Sequence, residues 1–150
     1  MDAHVQAYVE ITALQRTYGD VCTRRAWDEM PGLCTPDAHF SFDVGMGAPL
    51  ELRGPSALVQ FGTGAVGRFS FYQYAVLNTV VTVDSGTAAH GRLDVVEVGV
   101  DAASGEWLEF YGRYLDRYAV LAGSWRFARR EYGITARRTP AGTDVFPGPG

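Results

Sequence analysis

The sequence predicts an α+β domain: a strongly curved antiparallel sheet wrapped around N-terminal helices, cone-shaped, with an internal pocket. Two observations carry this. Apolar residues recur at a helical period through the first stretch of the chain, whereas the second half holds four long strand-like runs in succession. Short, glycine-bearing segments join those runs, as hairpins require. Helices segregated from a run of antiparallel strands pack on one face of the sheet.

Taken in order, residues from about Ala3 to Arg25 form the first helix. Val5, Tyr8, Val9, Thr12, Leu14, Tyr18, Val21 and Cys22 fall near a 3.6-residue period, with Glu10, Gln15, Arg16 and Asp20 elsewhere on its surface. A shorter helix, Ala26 to Leu33, is limited by Pro31 to a turn or two. Thr35-Pro36-Asp37 signals a turn, and His39–Val44 alternates as a strand with Phe40 and Phe42 on one face and His39, Ser41 and Asp43 on the other. Gly54-Pro55-Ser56 opens a third helix through Phe61. The meander follows at Phe69–Val83, Thr87–Val100, Glu106–Ala119 and Ser124–Ala136. Residues 1–138 are expected to be one domain, and 139–150 a flexible Pro/Gly-rich tail.

Composition narrows the function classes. The net charge of −4 offers no basic field for nucleic acid or an anionic membrane, and Arg129, Arg130, Arg137 and Arg138 are expected on a solvated edge. Aromatic residues reach 13%, rich enough to line a pocket for a flat or polycyclic molecule as well as fill a core. Cys22 and Cys34 offer neither a disulfide framework nor a metal spacing, and no basic-then-apolar leader opens the chain, so a reduced, cytoplasmic setting is expected. No metal and no cofactor are called for. Gly62-Thr-Gly64-Ala-Val-Gly67 matches the dinucleotide fingerprint by letter, but it follows a helix-like segment and precedes a strand. It is therefore expected to be a flexible loop near the pocket mouth.

Several local motifs, in order, resemble the SnoaL-like branch of the nuclear transport factor 2-like superfamily. Gly112-x-Tyr114-x-Asp116 precedes Gly123-x-Trp125-Arg126-Phe127-x-x-Arg130; Leu14 and Tyr18 are followed by Trp27; Pro36-Asp37-Ala38 stands before the first strand; Gln73-Tyr74 leads to Asn78. The resemblance runs from about Ile11 to Ile134. It implies the cone fold and a range of activities among relatives, from ketosteroid isomerases, scytalone dehydratase-like lyases and polyketide cyclases to epoxide hydrolases, oxygenase small subunits and plain binding proteins. Fold alone does not choose among them.

The resemblance also implies roles for particular positions. Tyr18 matches a tyrosine that donates to a substrate oxyanion in the isomerases, and Tyr114 matches a position that reaches the ligand. Tyr74 stands where many relatives carry a catalytic histidine, and a phenol is a poor base at neutral pH. The usual acidic positions hold Thr23 and Ala26, and the isomerase base position falls at Phe42, beside Asp43.

The residues themselves add a carboxylate. Alternation along Ala89, Gly91, Leu93 and Val95 continues to Glu97, placing it on the apolar side, where burial raises a carboxyl pKa to suit a general acid or base; a bulge at Val95-Val96 would instead turn it to solvent. The same parity argument puts Tyr72, Tyr74, Val76, Asn78 and Val80 on one face, and Phe110, Gly112, Tyr114 and Asp116 on another.

The expectation is therefore an apolar cone for a small hydrophobic, cyclic molecule, with cofactor-free acid–base chemistry: isomerisation, cyclisation, dehydration or epoxide opening. Tyr18, Tyr74, Tyr114, Glu97 and Asp43 are the candidate catalytic residues; Trp27, Phe42, Tyr72, Asn78 and Phe110 are the candidate substrate contacts. The alternatives are a binding protein without turnover and a structural oxygenase subunit. His90, Arg92 and Asp94 on a polar sheet face, with the habit of the resembled family, point to a homodimer.

Overall fold

A computed structural model describes residues 1–150. Asp2 starts the first helix by accepting the N–H groups of His4 (2.9 Å) and Val5 (3.4 Å), which the helix leaves without partners. This helix, α1 (Ala3–Arg24), stops at Arg25 in the left-handed conformation, φ 58°. It buries Ile11, Leu14, Tyr18 and Val21 and packs chiefly on the third strand. The expected short helix is a 3-10 segment, Trp27–Leu33, with Pro31 inside it.

Strand β1 (Cys34–Asp43) begins earlier than expected, so the Thr35-Pro36-Asp37 turn is instead extended chain, with the register broken between Cys34 and His39. Pro36 has no N–H to give a ladder. A short strand the sequence did not signal, β2 (Leu50–Arg53), pairs with β1. Helix α2 then runs from Gly54 to Gly67. The Gly62–Gly67 stretch is thus the second half of a helix, not a loop, and Gly62 lies under the ring of Trp27, where a Cβ would come within 2.9 Å. A phosphate-binding turn after a strand does not exist there.

The meander follows as expected: β3 (Phe69–Val83), β4 (Ala88–Asp101), β5 (Trp107–Leu121) and β6 (Ser124–Thr139). Within the stretch expected as a loose tail, Gly142–Val145 forms β7, paired with the end of β6. Strand order is β2-β1-β6-β5-β4-β3; β1 and β6 run parallel, and every other pair is antiparallel. The curved, unclosed sheet holds the helices on its inner side, as the sequence predicted. No helix is long and apolar enough to cross a membrane.

Four single-residue bulges interrupt the ladders. Ser70 and Leu77 are extra residues in β3, and Ala128 and Thr135 are extra in β6. Each bends its strand and reverses which residues face inward beyond it.

Candidate functional site

Inward-facing residues form rows across the sheet. Tyr74, Glu97, Phe110 and Arg137 are consecutive partners on β3, β4, β5 and β6; Thr79, Leu93, Tyr114 and Tyr132 make another row, and Val81, Gly91, Asp116 and Arg130 a third. Between the first two rows and α2 lies a cavity of about 560 Å³. Its walls are mostly apolar and rich in aromatic rings: Phe42 and Phe61 stack at 4.7 Å, and Phe69, Phe110, Tyr114 and Tyr132 face the same space. Tyr132 reaches its place because Gly112 has no side chain; a Cβ there would lie 2.1 Å from the Tyr132 ring.

Glu97 puts a carboxyl group into this apolar wall. The Tyr72 hydroxyl donates a very short hydrogen bond to Glu97 Oε2. Burial pushes the carboxyl above its ordinary value of 4.5, while the Tyr72 bond and the Arg130 charge pull the other way without cancelling it. Tyr72 is itself held well above the usual phenol value, first by burial and then by Glu97, so it remains a donor. Glu97 is enclosed by protein yet partly accessible, because the accessible part faces the cavity.

Beneath the cavity floor sits a fixed positive charge. Arg130, expected at a solvated edge, is fully buried because the Ala128 bulge turns it inward. Its Nε and Nη2 donate to Asp116 Oδ1 (2.8 Å) and Oδ2 (3.1 Å). Tyr118 donates to the same carboxylate (2.8 Å), Gln15 donates to Tyr118 (2.7 Å), and Thr79 donates to Gln15 (2.8 Å). The guanidinium also lies against the rings of Tyr114, Phe127 and Tyr18, at 3.6, 4.1 and 4.3 Å from their centres. Tyr114 therefore separates this charge from the cavity.

The predicted site residues divide accordingly. Glu97, Tyr72, Tyr114, Phe42 and Phe110 meet in the cavity. Tyr18 and Tyr74 lie in the core behind it, their ring centres 5.8 Å apart, and the Tyr74 hydroxyl is buried without a partner. Trp27 packs on α2 outside the cavity lining. Asp43 faces outward, its Oδ1 accepting the Gly45 N–H at 3.0 Å. Asn78 is also on the outer side, because the extra residue Leu77 reverses the parity that holds from Tyr72 to Val76. Tyr132 and Arg137 were missed. Tyr132 becomes inward-facing only after the Ala128 bulge, which no spacing in the sequence marks. For Arg137 the second bulge, at Thr135, restores the alternation that runs from Phe127, and its place in a run of arginines pointed to solvent instead. No three His, Cys, Asp or Glu side chains converge to hold a metal.

A concave sheet, a helix laid over its opening and one buried carboxyl group in an aromatic hollow define a cone-type α+β protein with an internal cavity. The chain belongs to the SnoaL-like domain family, whose model matches residues 3–131. Its structure is similar to that of a candidate scytalone dehydratase from Novosphingobium aromaticivorans (TM-score 0.80, 20% identity, 89% of this chain and 87% of that one). It is similar too to the hexachlorocyclohexane dehydrochlorinase LinA-type3 from Novosphingobium barchaimii (TM-score 0.79, 18% identity, 97% of each chain). A protein of unknown function from Mycobacterium tuberculosis is a third neighbour (TM-score 0.72, 26% identity, 85% of this chain and 70% of that one). No curated protein matches the sequence.

Proposed function

We propose that the cavity binds a small, hydrophobic, cyclic molecule and that Glu97 moves a proton on it. The observation that carries this reading is the placement of Glu97: a carboxyl group enclosed in an aromatic-rich hollow, oriented by Tyr72 and shifted toward neutrality by burial, whereas Asp101 and Glu106 lie in more open parts of the lining. With one carboxylate oxygen engaged by Tyr72, the other is free to take a proton from carbon beside a carbonyl. The C–H electrons then pass to the carbonyl oxygen, and Tyr114 and Tyr132, whose side chains line the same cavity, are the candidate hydroxyl donors to that charge. Returning the proton at another carbon is isomerisation; expelling a leaving group instead is elimination, the reaction type of the dehydratase and dehydrochlorinase neighbours. Neither outcome draws on a bound cofactor.

A bicyclic ketone, 2-tetralone, tests this directly by exchange of its α-hydrogens with D2O, followed by NMR. Wild type is expected to accelerate the exchange and Glu97→Gln to reduce it by about 10²–10⁴-fold, the usual span for a general base, with affinity retained. Binding without exchange in wild type would reduce the reading to a non-catalytic ligand protein. Equal exchange in both proteins would remove Glu97 from the chemistry.

We also propose that a second copy of the chain covers the outer face of the sheet. Phe71 and Trp107 stack there at 5.9 Å, and Trp107 is 48% exposed. On the same face Arg117 stands directly opposite Arg129, with Arg92 in the adjoining row, and none of the three has a carboxylate within 4.0 Å. Like charges in direct register cost stability, and Glu131 on the same face supplies a counter-charge to a two-fold mate. A monomeric mass by light scattering would dismiss the assembly.

A further inference from the structure

The mouth of the cavity is walled on one side by the loop between β1 and β2. Val44 and Met46 line it, and Met46 is 68% exposed, so this wall is thin and faces solvent. The loop is built from Val44-Gly45-Met46-Gly47, with both glycines at positive φ, 78° and 72°. Its one side-chain tie is the Asp43–Gly45 bond. Nothing in the loop itself fixes how far Met46 leans over the opening.

Contact with the C-terminal segment supplies that constraint. The Phe146 ring occupies the space where a Gly45 side chain would be, 2.6 Å from the Cβ position. Phe146 is in turn held from β6. Its N–H donates to Thr135 O (2.9 Å), the carbonyl of a bulge residue. Arg137 lies over its ring at 5.6 Å and binds Asp144 of β7 at 3.1 Å. Arg137 and Thr139 also line the cavity, so wall, strap and loop form one continuous structure.

We infer that residues 44–47 are a flap held by Phe146, and that Met46 and Phe146 together determine how large a molecule the cavity admits. This rests on the cavity being a ligand site. A molecule smaller than the hollow is enclosed by the aromatic walls and does not reach the flap. A longer or wider one presses on Met46, and its residence time depends on how firmly Phe146 holds Gly45.

The test compares two fluorescent probes, 2-naphthol (two rings) and pyrene (four rings), by equilibrium titration and stopped-flow release. Phe146→Ala is expected to release pyrene about tenfold faster, a loss of pre-organisation of ~1.4 kcal/mol, while 2-naphthol affinity moves less than about twofold. Gly45→Ala, which forces a Cβ into the Phe146 ring at positive φ, should act in the same direction with the sequence of the C-terminal segment unchanged. Equal weakening of both probes would mean that the wall had collapsed, and no change in either would mean that the strap holds nothing; each overturns the inference while leaving the cavity a ligand site. Failure of both probes to bind wild type would instead bring down the ligand site itself, and the flap with it.

Discussion

Replacing Asp116 by alanine tests the physical framework under the cavity. Arg130 is 0% exposed and Asp116 is 3% exposed, so neither charge is screened by water. The substitution removes two charge-assisted bonds of 2.8 and 3.1 Å and the acceptor of Tyr118, and it leaves a guanidinium buried among rings with Nη1 already unpartnered. Breaking such a pair from one side costs about 3–5 kcal/mol. Against a total stability of ~5–15 kcal/mol this is a large fraction. In thermal terms it is a fall of about 6–20 °C for a domain of this size. Removing both charges in Asp116→Leu/Arg130→Met should cost less than Asp116→Ala alone, because no orphan charge remains. Urea unfolding followed by tryptophan fluorescence and circular dichroism measures both variants. A cost for Asp116→Ala under about 1 kcal/mol, typical of an exposed pair, would refute the claim that this ion pair anchors the core.

Other expectations follow from the same geometry. Because the Glu97 carboxyl is raised above 4.5 in the folded state, its stabilising contribution is present below that pH and is lost as pH rises through the folded value; Glu97→Gln should therefore gain on wild type as pH rises, and urea midpoints that differ by a constant amount at every pH would contradict it. Gly112→Ala must push the Tyr132 ring aside and into the cavity, at about 1–3 kcal/mol, seen as a lower urea midpoint together with weaker 2-naphthol binding; a neutral result would mean that the ring has room to move. Burial pushes the Cys34 thiol up to about 11 and the Cys22 thiol higher still, so neither should react with a disulfide reagent at mildly alkaline pH until the protein is unfolded in guanidinium chloride.

The sequence alone determined the elements with long, uninterrupted patterns. Helix α1 declares itself through a 3.6-residue period and β3 to β6 through alternation and glycine-bearing turns, signals that each segment carries locally. Glu97 was legible for the same reason: the β4 register runs against β5 without a bulge, so counting by twos from Leu93 reaches the inner face correctly. The short edge strands β2 and β7 were not, since four residues hold too little pattern to distinguish a strand from a loop.

Tertiary pairing decided the rest. Asn78 and Arg130 exchange the sides that alternation assigns them, because Leu77 and Ala128 are each one residue too many for the neighbouring strand. A side chain's face depends on register with a partner strand remote in the chain, and one inserted residue reverses every position beyond it at no visible cost in composition. The sequence thus determined that a curved sheet would enclose a helix and that Glu97 would face inward. Only the folded pairing decided that Arg130 lies beneath the cavity, that Tyr132 and Arg137 line it, and that Tyr18 and Tyr74 stay behind its wall.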